Sequence, residues 1–78
     1  MSQVIIYSTP TCVYCKAAKD YFSQNNIAYT EHNVAEDEKA LEEMQNKSGQ
    51  FGVPVIDING TIVVGFDKPA IAKLLKLS

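Results

Sequence analysis

An apolar, β-branched run at Val4-Ile5-Ile6-Tyr7 stops at Ser8-Thr9-Pro10-Thr11, and a few residues later the chain changes period. Up to Tyr7 it reads as a buried strand followed by a loop. From Tyr14 the apolar residues fall at helical spacing. Ala17, Ala18, Tyr21 and Phe22 share one face, and Lys16, Lys19, Asp20 and Ser23 face outward. Asn25-Asn26 end that helix, and alternating apolar residues from Ile27 to Val34 read as a second strand. Strand, helix, strand in so short a stretch implies two parallel strands joined by a right-handed crossover.

The second half is read in the same way. Glu36 to Lys47 is a helix whose apolar face is Ala40, Leu41 and Met44, with acids in its first turn, where the helix dipole favours them. Ser48-Gly49 is a C-terminal stop. Val53 to Ile58 is a third strand, Asn59-Gly60 a tight hairpin turn and Thr61 to Gly65 a fourth strand. Asp67 caps a last helix, with Pro69 in its first turn and Ile71, Leu74 and Leu75 packing inward. The order β-α-β-α-β-β-α predicts an α/β fold, with a four-stranded mixed sheet flanked by three helices. The chain of 78 residues is expected to form a single domain over residues 1–78.

Charge and patterning exclude several functions. The formal net charge is -2 and the basic residues are scattered, so no cluster is available to neutralise phosphates and no nucleic-acid partner is expected. The acidic stretch from Glu31 to Glu43 reads as a solvated helix face. No apolar run approaches the length of a membrane span. The start, through Tyr7, has no basic segment before its short apolar run and reads as a strand, not a signal peptide. The expected compartment is the cytoplasm, and the expected state is a monomer.

Two cysteines three positions apart are too few for a stapled secreted scaffold. They mean redox chemistry or half a metal site. Structural zinc takes four ligands, and the chain offers only Cys12, Cys15 and a single histidine, His32, in a different strand, so no metal site is expected. His32 reads as a surface or edge residue. Thr11-Cys12-Val13-Tyr14-Cys15-Lys16 lies at the junction of the first strand and first helix. Unpaired N–H groups and a partial positive charge at that helix start stabilise a thiolate at Cys12. Cys15 lies one turn further in, less exposed, and within reach of a disulfide with Cys12. Cys12 is thus the expected nucleophile and Cys15 the resolving thiol. Tyr7 and Tyr29 read as core aromatics, whereas Tyr14 either faces a bound substrate or packs. Pro54 opens a strand, where it cannot donate to a ladder. The Val53-Pro54 bond is then either an ordinary trans bond or a cis bond that leaves the Val53 N–H and C=O free to pair with an extended thiol substrate.

Several of these segments together resemble the glutaredoxin family. They are Val4-Ile5-Ile6-Tyr7-Ser8, Cys12-Val13-Tyr14-Cys15, Ser48-Gly49-Gln50 leading to Val53-Pro54, Asn59-Gly60, and Val64-Gly65-Phe66-Asp67. The resemblance implies the thioredoxin fold and a cis proline at Pro54. It also implies a glutathione groove, with Tyr14 beside the sulfur, Val53 and Pro54 along the tripeptide backbone, and Gly65, Phe66 and Asp67 around its amino-terminal end.

The departures are Val13 where the family commonly has proline, Thr9 where it has a basic residue, and Val64-Gly65 followed by Lys68 where it has Gly-Gly and a second acid. Val13 and Gly65-Phe66 are similar to the glutaredoxin-like redoxins of ribonucleotide reductase, which take electrons from a thioredoxin-reductase-type flavoprotein. The resemblance therefore implies a dithiol-disulfide oxidoreductase with no tightly bound cofactor. Its partners would be glutathione, as reductant, and disulfide-containing proteins. A flavoprotein disulfide reductase is the alternative donor. An iron-sulfur cluster shared by two chains through Cys12 and glutathione is a third reading, and the presence of Cys15 argues against it.

Overall fold

The computed structural model describes residues 3–76; residues 1, 2, 77 and 78 of the expected domain lie outside the described residues. Seven elements follow in the expected order: β1 (Val4–Ser8), α1 (Val13–Gln24), β2 (Thr30–Asn33), α2 (Glu38–Ser48), β3 (Val55–Ile58), β4 (Thr61–Val64) and α3 (Lys68–Leu74). The strands form one mixed sheet in the order β2-β1-β3-β4. β1 pairs parallel with β2 and antiparallel with β3, and β3 pairs antiparallel with β4. This is the thioredoxin fold.

Alternation along the strands divides the core in two. Val4 and Ile6 of β1, Ile56 and Ile58 of β3 and Val63 of β4 face α1 and α3, where Ala18, Phe22 and Ile71 complete a buried cluster. Tyr7, Val55 and the half-buried Ile5 and Ile62 face the other way, against Ala40, Leu41 and Met44 of α2. Both helical faces are those that the spacing predicts.

Several boundaries differ from the pattern reading, each for a local reason. β2 is shorter than Ile27–Val34. Its approach is tied to the end of α1, where the Ile27 N–H donates to the Phe22 carbonyl at 2.8 Å. α2 starts at Glu38 because Asp37 is its cap, accepting from the Lys39 and Ala40 N–H groups at 3.0 and 3.1 Å. β3 starts at Val55 because Pro54 brings no N–H to the ladder. At the hairpin, Asn59 and Gly60 take φ +52° and +94°, the left-handed pair that a two-residue turn requires.

Polar groups at the sheet are paired. On the α2 side the buried Tyr7 hydroxyl donates to Glu43 and accepts from Lys47 Nζ at 2.8 Å, and Lys47 also donates to Asp57 at 2.9 Å. On the α1 side the buried Ser8 hydroxyl donates to Glu31 at 2.7 Å, and Lys19 Nζ donates to the same oxygen at 2.8 Å. The lysine is thus half-buried and paired, not simply outward-facing. Among the described residues no helix is long and apolar enough to cross a membrane.

Two outcomes test this packing. Phe22 is fully buried, and Phe22→Ala should lower unfolding free energy by about 3–5 kcal/mol, read by denaturant titration of the reduced protein. The second test is acid. Hydrogen bonds from Lys19 and Ser8 lower the Glu31 carboxyl, and bonds from Tyr7 and Lys47 lower that of Glu43, both from an ordinary 4.5. A depressed carboxylate stabilises the fold above its unfolded value and loses that contribution as pH falls through the folded one. Stability should therefore decline below about pH 4.5, and Glu31→Gln with Glu43→Gln should flatten the decline.

Candidate functional site

The topology gathers three segments at one end of the sheet. β1 runs toward this end, and its Tyr7 pairs with Val55, the first residue of β3, which pairs in turn with Val64, the last residue of β4. The β1–α1 loop, the residues before β3 and the residues after β4 therefore emerge together. A 2.8 Å hydrogen bond from the Gly65 N–H to the Pro54 carbonyl links the last two.

The loop from Thr9 turns into α1, with the Cys12 N–H donating to the Thr9 carbonyl at 3.3 Å. Cys12 is the N-cap of α1, in extended backbone conformation (φ −88°, ψ 113°). Its Sγ stands where a capping serine oxygen would, accepting the Cys15 N–H at 3.1 Å. Cys12 is half-buried and borders an open depression of about 330 Å³, lined also by Pro10, Thr11, Val13 and Lys16.

Cys15 is wholly buried, and both thiols are free. Burial is the main cause that pushes the Cys15 thiol up to about 12, and its hydrogen bond with Cys12 adds to this. A backbone hydrogen bond with Thr9 and the charge of Lys19 act the other way. One sulfur thus reaches solvent with a backbone donor on it, and the second stays protonated behind it. An incoming disulfide can meet the first sulfur before the second.

Around this pair the expected groove residues divide. Tyr14 is 67% exposed, so it lines the surface and does not pack. Val53 is half-buried and precedes the first ladder pair of β3, so its backbone lies outside that ladder. The Val53-Pro54 bond is cis, and Pro54 is buried. Gly65 takes φ +81°, which a side chain rarely adopts, and its N–H is committed to Pro54. The Phe66 ring meets Tyr21 edge-on at 5.9 Å and packs against the α1-side core. Asp67 is exposed and caps α3, accepting the Ala70 N–H at 3.3 Å. Lys68 lies over the Tyr21 ring at 5.3 Å.

His32 stacks on Tyr7 at 5.4 Å. It shares the α2 side of the sheet with Tyr7, away from α1 and the cysteines. Sequence reading passed over Phe51, 65% exposed in the loop before Pro54. Its available signal was an aromatic between Gln50 and Gly52, in a segment with no strand or helix period to bury it.

Comparison with known proteins agrees with this geometry. The sequence profile of the glutaredoxin family matches residues 4–63. A glutaredoxin-like 8.6 kDa protein in the rubredoxin operon of Clostridium pasteurianum is 54% identical over 71 residues, spanning 91% of this chain and 95% of its own length. Glutaredoxin 3 of Escherichia coli K12 is 34% identical over 86% of this chain and 81% of its own. The crystal structure of a mutant thioredoxin-like protein superposes with a TM-score of 0.91 at 28% identity, covering 96% of each chain.

The contrast between the two sulfurs makes one expectation testable. Limiting iodoacetamide at neutral pH should place its adduct on Cys12, with Cys15 labelled only after unfolding. Peptide mapping that finds Cys15 labelled first would contradict the arrangement.

Proposed function

The chain belongs to the glutaredoxin family of thioredoxin-fold redox proteins with a cysteine pair, and on that premise we propose that it reduces protein and glutathione mixed disulfides through Cys12 and Cys15, with glutathione as its reductant. The observation that carries the cysteine roles is the accessible sulfur of Cys12 at a helix N-cap, backed by a buried and protonated Cys15. The Cys12 thiolate attacks the target disulfide, forming a mixed disulfide and expelling one target thiolate, which takes a proton from water. The Cys15 sulfur, losing its proton, then attacks the Cys12 sulfur. The bond between Cys12 and the target breaks, the Cys12–Cys15 bond forms, and the second target thiolate leaves and is protonated. Two electrons pass to the target. Two molecules of glutathione, oxidised to their disulfide, return the pair to thiols. The proposed setting is the cytoplasm, where thiols are kept reduced.

For glutathione the reading rests on Tyr14 as stacking surface, the Val53 backbone beside Pro54 as an extended pairing edge, and Asp67 as acceptor for the ligand's ammonium. Gly65 and Phe66 shape the end of the groove. Thr9 leaves one ligand carboxylate without a charge-assisted bond, worth about 1.5–3 kcal/mol or roughly tenfold to a hundredfold in affinity. A specific observation also favours a second donor, a flavoprotein disulfide reductase. Val13 beside Cys12 is 78% exposed and Phe51 is 65% exposed, apolar area of the kind protein partners cover.

The glutathione dependence of disulfide reduction separates the donors. Thr9→Lys should strengthen it by roughly tenfold. Asp67→Asn, which keeps the helix cap but removes the charge, should weaken it. If neither substitution matters and only a flavoprotein reductase sustains turnover, the redoxin reading replaces the glutathione reading.

A further inference from the structure

Of the ion pairs among the described residues, Lys19–Glu31 alone joins α1 to the sheet, and it lies one helical turn behind Cys15. Lys19 follows Cys15 by four positions, so the two side chains lie on the same face of α1, one above the other. A lysine beside water is best solvated when extended. Here Nζ is folded onto Glu31 at 2.8 Å, leaving the side chain 27% exposed. The same Glu31 oxygen accepts the Ser8 hydroxyl at 2.7 Å. Ser8, at the end of β1, is the one fully buried polar residue among those described. Glu31 pairs with Ile6 in the β1–β2 register, which turns it toward the α1 side of the sheet. The chain Ser8–Glu31–Lys19 thus ties the end of β1 and the edge strand to α1, and it ends in a lysine one helical turn from the buried Cys15.

We propose that Lys19 is the electrostatic partner of the resolving cysteine: its ammonium stabilises the Cys15 thiolate as it forms during resolution of the mixed disulfide, and Glu31 and Ser8 are positioning residues that hold it there. This rests on the dithiol reading of the site. The charged and titratable groups acting on Cys15 are Cys12 and Lys19 from α1, with a backbone hydrogen bond from Thr9 in the preceding loop. Glu31, from β2, acts through its bond to Lys19. Burial and Cys12 both oppose ionisation of Cys15, and Lys19 is the cation that favours it. The influence is mutual, because Cys15 also favours the charged form of Lys19. Lys19 moves no proton. The proton leaves the Cys15 thiol for solvent as the Cys12–Cys15 bond forms and the target thiolate departs.

Stopped-flow reaction of the reduced protein with 5,5′-dithiobis(2-nitrobenzoate) reads both steps. Attack by Cys12 releases one nitrothiobenzoate, and resolution by Cys15 releases the second. Cys15→Ser should abolish the second release; if it does not, the dithiol reading itself fails. Lys19→Met should leave the first release unchanged, slow the second by about three- to tenfold and move its pH profile upward, as expected for a neighbouring charge removed from an ionising thiol. Lys19→Arg should retain most of the rate. Glu31→Gln should slow the second release in wild type and have little effect in the Lys19→Met background. A second release that Lys19→Met leaves unmoved across pH, or equal slowing of both releases, would overturn the proposal while leaving the dithiol reading intact.

Discussion

Burial of α1 against β1 is the contact on which the site depends. Ala18 and Phe22 are fully buried against Val4 and Ile6, and this packing sets the depth and direction of the helix. Its first turn is then held just past the end of β1, with Cys12 at the cap and Cys15 three residues inside. That spacing points Cys15 inward onto the buried face and leaves Cys12 at the rim. The difference between the two sulfurs is a consequence of helical geometry applied to a packed helix. A shift of α1 along its axis would move the cap, the backbone donor and the buried thiol together.

The mixed sheet does the remaining positioning. β1 and β3 run antiparallel, so the carboxyl end of one lies beside the amino end of the other. The loop that carries Cys12 and the segment that carries Val53 and Pro54 are brought together although about 40 residues separate them. β4 returns to the same end, and its last residues join through the bond from Gly65 to Pro54. Phe66 then turns back onto Tyr21, which fixes the entry to α3 and leaves Asp67 at its exposed cap.

Two polar clusters flank the sheet and serve different neighbours. Tyr7, Glu43, Lys47 and Asp57 join α2 to β1 and β3. Their effect is to satisfy a hydroxyl that a large buried aromatic would otherwise leave unpaired. Burial, with the bond to Glu43, raises Tyr7 above its ordinary value against the opposing effect of Lys47, and Lys47 is held well above its own by Asp57 and Tyr7 despite partial burial. Both groups therefore keep one charge state through the neutral range. Ser8, Glu31 and Lys19 occupy the other side, and that cluster alone adjoins the cysteines.

Sequence alone determined the element order, the helix faces, the hairpin and the placement of the cysteine pair at a helix start. Each of these follows from dihedral preference or periodicity over a few residues. Asn59-Gly60 needs no distant partner to favour a tight turn, and Gly49 takes its left-handed cap at φ +73° for a local reason. Tertiary structure decided the rest. β2 begins late because Ile27 is bound to α1, the Phe66 ring belongs to the core because Tyr21 is there to meet it, and Tyr14 is exposed because none of the described residues packs over the first turn of α1. Lys19 reads as an ordinary outward lysine until Glu31 arrives from the edge strand, and Phe51 carries no period at all. These features depend on groups distant along the chain, and a local pattern holds no information about which distant group folding will place beside it.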